Sequence, residues 1–401
     1  MTLTNKCYKM TLYAFNPDTD LALANGTGNY TPTTAVSQLI TDLAMLPVWY
    51  AKPGSYVLVP TGIDNEFLLK QNEMFHLNVS LICVDELKNL EPPVEVNPWG
   101  WNHSFCNRLK RAGISEKSLP DDAELELRRN LSQRGMVAML LDKFRYDADE
   151  VFCGISRNLK HTFDCAEYFY QLEKDGGVVF KEPWSSSGKG LLWCRNDYSE
   201  KDRNWCQRVI DNEGYVTVSP IYNKVKDFAM EFYVHANRQT DFIGYSLFDT
   251  DRHGYYQGNS LLSDMDILNC LGKYVPKEKL EKTKQMVADF LGSHGYQGCV
   301  GVDMMICKEG EEMKIHPCVE INYRHTMGYV ARVLKDQYLA AQAQGRFMIE
   351  HFRTHQNLVD FVEEKTQKAP LVVKAGRACR GFMPLVPISS TSQNLAYIEI
   401  Y

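Results

Sequence analysis

The chain has 401 residues, too long for one ordinary core, and 44% of them are apolar against 23% charged, the balance of a globular protein. A net charge of −6 excludes a generally basic surface made for bulk nucleic-acid binding. Twelve cysteines without a Cys-x-x-Cys pair or zinc spacing predict free thiols in a reducing cytoplasm, and no apolar run reaches the roughly 18 residues of a membrane span.

From the N-terminus, residues 12–16, 56–60 and 79–84 read as strands, and 35–46 and 66–76 as helices with apolar positions at helical spacing. This rhythm predicts a parallel sheet. The loop after the first strand, Asn16-Pro17-Asp18-Thr19-Asp20, continues to Gly26-Thr27-Gly28. Ligands of open parallel sheets sit beyond the carboxyl ends of strands, so the loop is a candidate substrate wall. Its Gly-x-Gly lacks the third glycine and the ribose acid of a dinucleotide fingerprint. Residues 97–102, Asn-Pro-Trp-Gly-Trp-Asn, begin an aromatic loop ahead of a basic helix over 103–111, whose Arg108, Lys110 and Arg111 read as a solvated face. A helix over 124–144, broken near Gly135, and another over 161–172 follow.

Val178-Val179-Phe180-Lys181 then runs as a strand through Pro183 into Ser185-Ser186-Ser187-Gly188-Lys189-Gly190. Small residues leave the loop N–H groups bare to face an anion, and Lys181 and Lys189 add point charges. After a helix over 202–210, the strand 215–222 ends in Ser219-Pro220-Ile221, where Pro220 suits a bend. A strand over 241–249 enters a polar, aromatic loop holding Arg252, and 277–291 reads as an amphipathic helix.

Residues 298–306 read as a buried strand carrying Asp303, with a turn at 308–312 and a second strand over 314–324. Side chains alternate along a strand, so Glu320 and Asn322 share a face, and a hairpin puts Asp303 beside them. Two carboxylates and an amide oxygen are hard ligands of the kind Mg²⁺ accepts while keeping waters and phosphates. Val300, Val302, Ile315, Val319 and Ile321 mark both strands as buried, and buried acids need a partner. Residues 326–352 read as helix, and 371–374 and 396–400 as strands.

The order of these motifs resembles the ATP-grasp superfamily over roughly residues 130–345: a phosphate-loop lysine, a hinge, an acid in a buried strand and a closing Glu-x-Asn-x-Arg. The resemblance implies an α/β chain of the ATP-grasp fold. A parallel-sheet N-terminal domain (1–120) precedes a subdomain with the phosphate loop (121–215) and one with the metal site (216–365), leaving a β-rich tail (366–401). It implies ATP and Mg²⁺ as cofactors. Arg134 or Lys143 takes the α-phosphate, Arg134 being preferred because Ser132-Gln133-Arg134 stands where the family helix begins. Lys181, Ser186, Ser187, Gly188 and Lys189 take the phosphate chain, and Ser219 and Ile221 the adenine edge. Asp227, or alternatively Glu231, takes the ribose.

Asp303, Glu320 and Asn322 are the implied metal ligands. Arg324 stands at the transferring phosphoryl oxygens, although Tyr323 replaces the proline many members have before it. Arg252 is either a bidentate carboxylate clamp or part of a surface loop. His325 reads as a helix-capping residue, with proton acceptance from an amine as the other role. The implied activity joins a carboxylate to an amine, less often a thiol, through an acyl phosphate. Small-molecule kinase, noncatalytic nucleotide-binding protein and plain structural α/β protein are the rivals. The partners are small-molecule or peptide carboxylate and amine substrates, with no nucleic acid, no membrane and a homodimer left open.

Overall fold

Strands β1 (Met10–Ala14), β2 (Tyr56–Val59), β3 (Ser80–Cys83) and β4 (Val94–Pro98) form a parallel sheet of order β3-β2-β1-β4. Helices α1 (Thr19–Asn25), α2 (Thr34–Asp42), α3 (Glu66–Phe75) and α4 (His103–Arg111) accompany it. Leu12, Ala14, Val94, Val96, Phe105 and Leu109 share its core. The parallel sheet expected from the sequence is present, with two corrections. Residues 19–25, read as loop, are helical and end at Gly26 in the left-handed conformation (φ 68°) that glycine adopts without strain. Residues 94–96, left unassigned, lie in β4, which the prolines at 93 and 98 disguised. The computed structural model describes residues 10–91, 93–147, 149–172, 176–185, 190–251 and 256–401.

The chain divides into two compact units. One holds Met1–Ala22, Gly26–Glu126 and Val333–Tyr401; the other holds Leu23–Asn25 and Leu127–Arg332. After α5 (Asp122–Leu131) and α6 (Gly135–Tyr146), the second unit carries β5 (Arg157–Leu159), α7 (Thr162–Leu172), β6 (Val178–Lys181), β7 (Leu191–Cys194), α8 (Glu200–Glu213) and β8 (Val216–Pro220). These strands form an antiparallel sheet, β5-β8-β6-β7. Cys165 and Phe169 of α7 and Cys206 and Val209 of α8 bury against Val178, Phe180, Val216 and Val218. A reciprocal Ser199–Asp202 cap starts α8 and Gly214 closes it.

The same unit continues with β9 (Lys224–Val234), β10 (Thr240–Thr250), β11 (Tyr256–Leu261), α9 (Asp264–Leu271), α10 (Lys277–Gly292), β12 (Gly298–Glu309) and β13 (Glu312–Asn322). Its strands run in the order β13-β12-β9-β10-β11. Helix α10 buries Leu280, Val287, Phe290 and Leu291 against Phe228, Met230, Phe232, Val300, Val302 and Met304. Each fully buried side chain of this size contributes roughly 1.5–3 kcal/mol.

Helix α11 (Met327–Val333) follows, then a π-helical turn (Leu334–Tyr338). The first unit resumes with β14 (Gly345–His351), α12 (His355–Lys368), β15 (Val372–Lys374), β16 (Arg377–Pro384) and β17 (Asn394–Ile400), ordered β14-β17-β16-β15. The expected helix over 326–352 is therefore short. Lys335 is buried and donates to the carbonyls of Ala341 (3.0 Å) and Ala343 (2.6 Å), and β14 pairs with β17 along its whole length. Tertiary pairing overrides the helix propensity of the alanine- and glutamine-rich run. No helix among the described residues is long and apolar enough to cross a membrane.

Candidate functional site

Strands β12 and β13 pair as the expected hairpin, with Asp303 opposite Glu320 and Gly301 opposite Asn322. On the other side of β12, Asp227, Ala229 and Glu231 of β9 stand opposite Met305, Asp303 and Gly301. Alternation puts all these residues on one face, while Phe228, Met230, Val302 and Met304 between them enter the core. Asp303, Glu320 and Asn322 are each half-buried.

Polar contacts tie this face together. Asn322 Nδ2 donates to Asp303 Oδ2 at 3.2 Å, and Arg324 Nη2 donates to Asn322 Oδ1 at 2.9 Å. Arg324 Nη1 also donates to the His325 carbonyl. Arg134, immediately before α6, places Nη2 3.1 Å from Glu320 Oε1 and donates to Ser185 Oγ at 3.0 Å. Its backbone N–H donates to the Pro183 carbonyl. One side chain thus joins Ser185, shortly after β6, to the carboxylate hairpin. Arg134 Nε is buried with no hydrogen-bond partner among the described residues.

Burial sharpens the charges. Burial, and next the charge of Glu320, push Asp303 up to about 7, opposed by Arg324 and the Asn322 amide. Burial, and next the charge of Arg134, push Lys181 down to about 8, with Glu320 opposing. Crowded carboxylates call for a cation, and crowded cations for an anion. A divalent ion with a polyphosphate satisfies both. Among the described residues no group of three or more His, Cys, Asp and Glu forms a ready-made metal centre. Two carboxylates and an amide suit Mg²⁺, which keeps waters and phosphate oxygens among its ligands.

Ser219 is buried in β8, and the Ile221 N–H donates to the Gly177 carbonyl at 3.0 Å, so this hinge donor is engaged within the protein. Pro220, Ile221 and Tyr222 line a cleft of about 810 Å³ with Arg195, Lys224 and Lys308. Asp227 accepts from Thr250 Oγ1 at 2.7 Å and from Lys224 Nζ at 2.6 Å. Lys143 lies exposed on the last turn of α6 and is not brought to the Arg134–Glu320 group. Ser186, Ser187, Gly188, Lys189 and Arg252 lie outside the described residues.

Glu231, the alternative ribose acid, is 2% exposed and accepts from Thr326 Oγ1 at 2.8 Å. Burial pushes it up to about 8. A Cβ at Gly328 would stand 2.0 Å from Glu231 Oε1, so the glycine makes room for the acid. Thr326 Oγ1 also accepts from the Tyr329 N–H at 2.9 Å, which makes Thr326, not His325, the capping side chain of α11. His325 is buried, its ring edge-on to Tyr329. Thr326 was missed, although a threonine just before a helix is a readable cap signal.

The sequence matches no protein-family model and no curated protein. Solved structures match the fold along nearly the whole chain. N5-carboxyaminoimidazole synthetase from Staphylococcus aureus, complexed with ADP, is 13% identical with a TM-score of 0.51 over 97% of this chain and 93% of that one. The biotin carboxylase-beta-gamma-ATP complex from Campylobacter jejuni is 11% identical, with a TM-score of 0.50 over 98% and 87%. The biotin carboxylase domain dimer of Hydrogenobacter thermophilus 2-oxoglutarate carboxylase, in complex with MgADP, ADP and bicarbonate, is 12% identical, with a TM-score of 0.50 over 98% and 86%. At these identities the likeness establishes the fold.

Proposed function

We propose that this chain, which has the ATP-grasp fold, is an ATP- and Mg²⁺-dependent ligase joining a carboxylate to an amine through an acyl phosphate. The observation that carries the reading is the cross-strand pair Asp303 and Glu320 set against Arg134 and Lys181. The three solved structures above hold ADP or an ATP-type ligand, and one holds magnesium. Bound MgATP supplies the phosphoryl group and neutralises charge as it moves.

The protein's part is mainly positioning. Arg134 and Lys181 bind phosphate oxygens, and Ser186, Ser187, Gly188 and Lys189 are assigned to the same chain by their sequence position. Asp303, Glu320 and Asn322 would hold the metal, which would neutralise phosphate charge, with Asp303 ionised and Asn322 offering the amide oxygen that now accepts from Arg324. Arg324 is assigned to the transferring oxygens, and Arg252 to the substrate carboxylate. Ser219 and Ile221 border the base, Asp227 the ribose, and no protein nucleophile is required.

Calorimetric titration of ATP with and without Mg²⁺, alongside Glu320→Ala, tests the reading. Micromolar, Mg²⁺-dependent binding that weakens in the variant supports it, and ADP release needing both a carboxylate and an amine completes it. ADP release with a stable phosphorylated product and no amine requirement identifies a kinase instead. Absence of binding by wild type ends the reading.

A further inference from the structure

We propose that His316 is a base-recognition residue, presenting Nδ1 to the purine of the bound nucleotide and setting its selectivity; this rests on the ATP reading above. The starting point is an irregularity in the metal hairpin. Between the pairs Asp303–Glu320 and Met305–His316, β12 contributes only Met304, while β13 contributes Pro317, Cys318 and Val319. Extra residues in one strand bend it and re-aim its side chains. His316 consequently joins Met305 and Asp227 in one cross-strand row, displaced by about 7 Å from the carboxylate row toward the hinge.

The surroundings of the ring point the same way. It lies edge-on to Tyr222 of the hinge, centroids 4.9 Å apart. Gly154, at φ +111°, packs closely against the ring, since a Cβ there would stand 3.0 Å from His316 Nε2. His316 is 4% exposed. Burial, and next the charge of Lys181, push it down to about 3, so the ring is neutral and offers one donor and one acceptor nitrogen. Nδ1 is buried without a hydrogen-bond partner among the described residues.

An orphaned nitrogen inside a fold is a cost that an apolar side chain of similar size would remove. The position explains the retention of a polar group. With phosphates on Lys181 and Arg134 and the metal on Asp303 and Glu320, the base lies in the row between them and the hinge. Adenine and guanine differ in the donors and acceptors of the edge they present, so one fixed imidazole nitrogen discriminates between them.

The test measures binding and stability rather than turnover. MgATP and MgGTP are titrated into wild type, His316→Leu and His316→Asn, and the nucleotide-free proteins are melted. The expected result is a roughly tenfold or greater loss of ATP preference over GTP in His316→Leu and partial recovery in His316→Asn. Its nucleotide-free melting temperature should be unchanged or higher, because the orphaned nitrogen is gone. A wild type that binds ATP beside a Leu variant with the same ATP-to-GTP ratio overturns the inference and leaves the ATP reading standing. A lower melting temperature with both affinities falling in proportion assigns His316 a purely structural role and overturns it too. A wild type that binds neither nucleotide overturns both.

Discussion

Strands β9, β12 and β13 have two faces made from alternate residues of the same segments, and the faces do opposite work. On one, Phe228, Met230, Phe232, Val300, Val302 and Met304 bury against α10 and its neighbours, where close packing makes every methylene count. On the other, Asp227, Glu231, Asp303 and Glu320 crowd acids together, and two of them are held far above the usual carboxylate range. The apolar face stabilises the fold at no cost to function. The polar face stores unfavourable charge that a ligand relieves, and such stored cost is a mark of a site.

The largest test is to damage each face separately. Phe232→Ala removes a fully buried ring and should destabilise the protein by about 3–5 kcal/mol, read from denaturant melts, while the folded fraction binds MgATP normally. Glu320→Ala should do the reverse, abolishing Mg²⁺-dependent ATP binding by calorimetry while the melting temperature stays close to wild type. Equal damage to stability and binding from both variants would erase the distinction between the faces.

Glu231 sharpens the comparison through pH. Its folded pKa is raised from 4.5 to about 8, so the folded state holds a proton that the unfolded state has lost across that window. The associated stability is fully present below about 4.5 and is lost as pH rises through 8. Glu231→Gln keeps an oxygen for Thr326 and has no proton to lose. Its melting temperature should exceed that of wild type by a margin that grows between pH 6 and 9, an advantage on the order of a few kcal/mol at the alkaline end. A margin independent of pH would show that Glu231 is ionised in the folded protein.

How much of this was legible in the sequence follows the range of each interaction. The shared face of Glu320 and Asn322 was readable because alternation is local, and the hairpin followed from a turn between two apolar strands. Lys181 at the end of a strand, ahead of a small-residue loop and the Pro220 bend, was readable as motif order. Strand β4 was hidden because its pairing with β1 is non-local and prolines flank it. The π-helical turn and β14 were hidden because the hydrogen bonds of Lys335 to the Ala341 and Ala343 carbonyls and the pairing with β17 decide them, and neither shows in local periodicity. The bulge at Pro317–Val319 is a count of residues across two strands, and one strand alone does not show it. The same holds for Arg134 and Glu320, which lie in contact although far apart in the chain.

Lys181 comes next in size. Lys181→Ala removes a cation crowded by Arg134 and should weaken MgATP binding by about 2–3 kcal/mol, the worth of hydrogen bonds to a charged group. The nucleotide-free protein should not lose stability below pH 8, because there the folded state bears the cost of a charged, desolvated lysine. That cost fades as pH rises from 8 toward 10.5, because over this range the folded state has given up the proton that the unfolded state still holds. Melting curves across this range should therefore rise relative to the variant, and a flat difference would place the ammonium in solvent.

The smallest expected effect separates two residues that the sequence left as alternatives. Arg134 and Lys143 lie on the same stretch, yet Arg134 is 6% exposed and paired with Glu320, whereas Lys143 is exposed. Truncating a surface lysine away from a cap, a buried pair or a cavity changes stability by at most about 0.5 kcal/mol. Lys143→Ala should shift neither the melting temperature nor the MgATP affinity beyond that margin. Arg134→Ala leaves Glu320 without its partner and opens the loop at Ser185, so its affinity should fall by far more. Should Lys143→Ala weaken nucleotide binding tenfold, the α-phosphate would lie on the outer turn of α6 and the polar face of β12 and β13 would need another ligand.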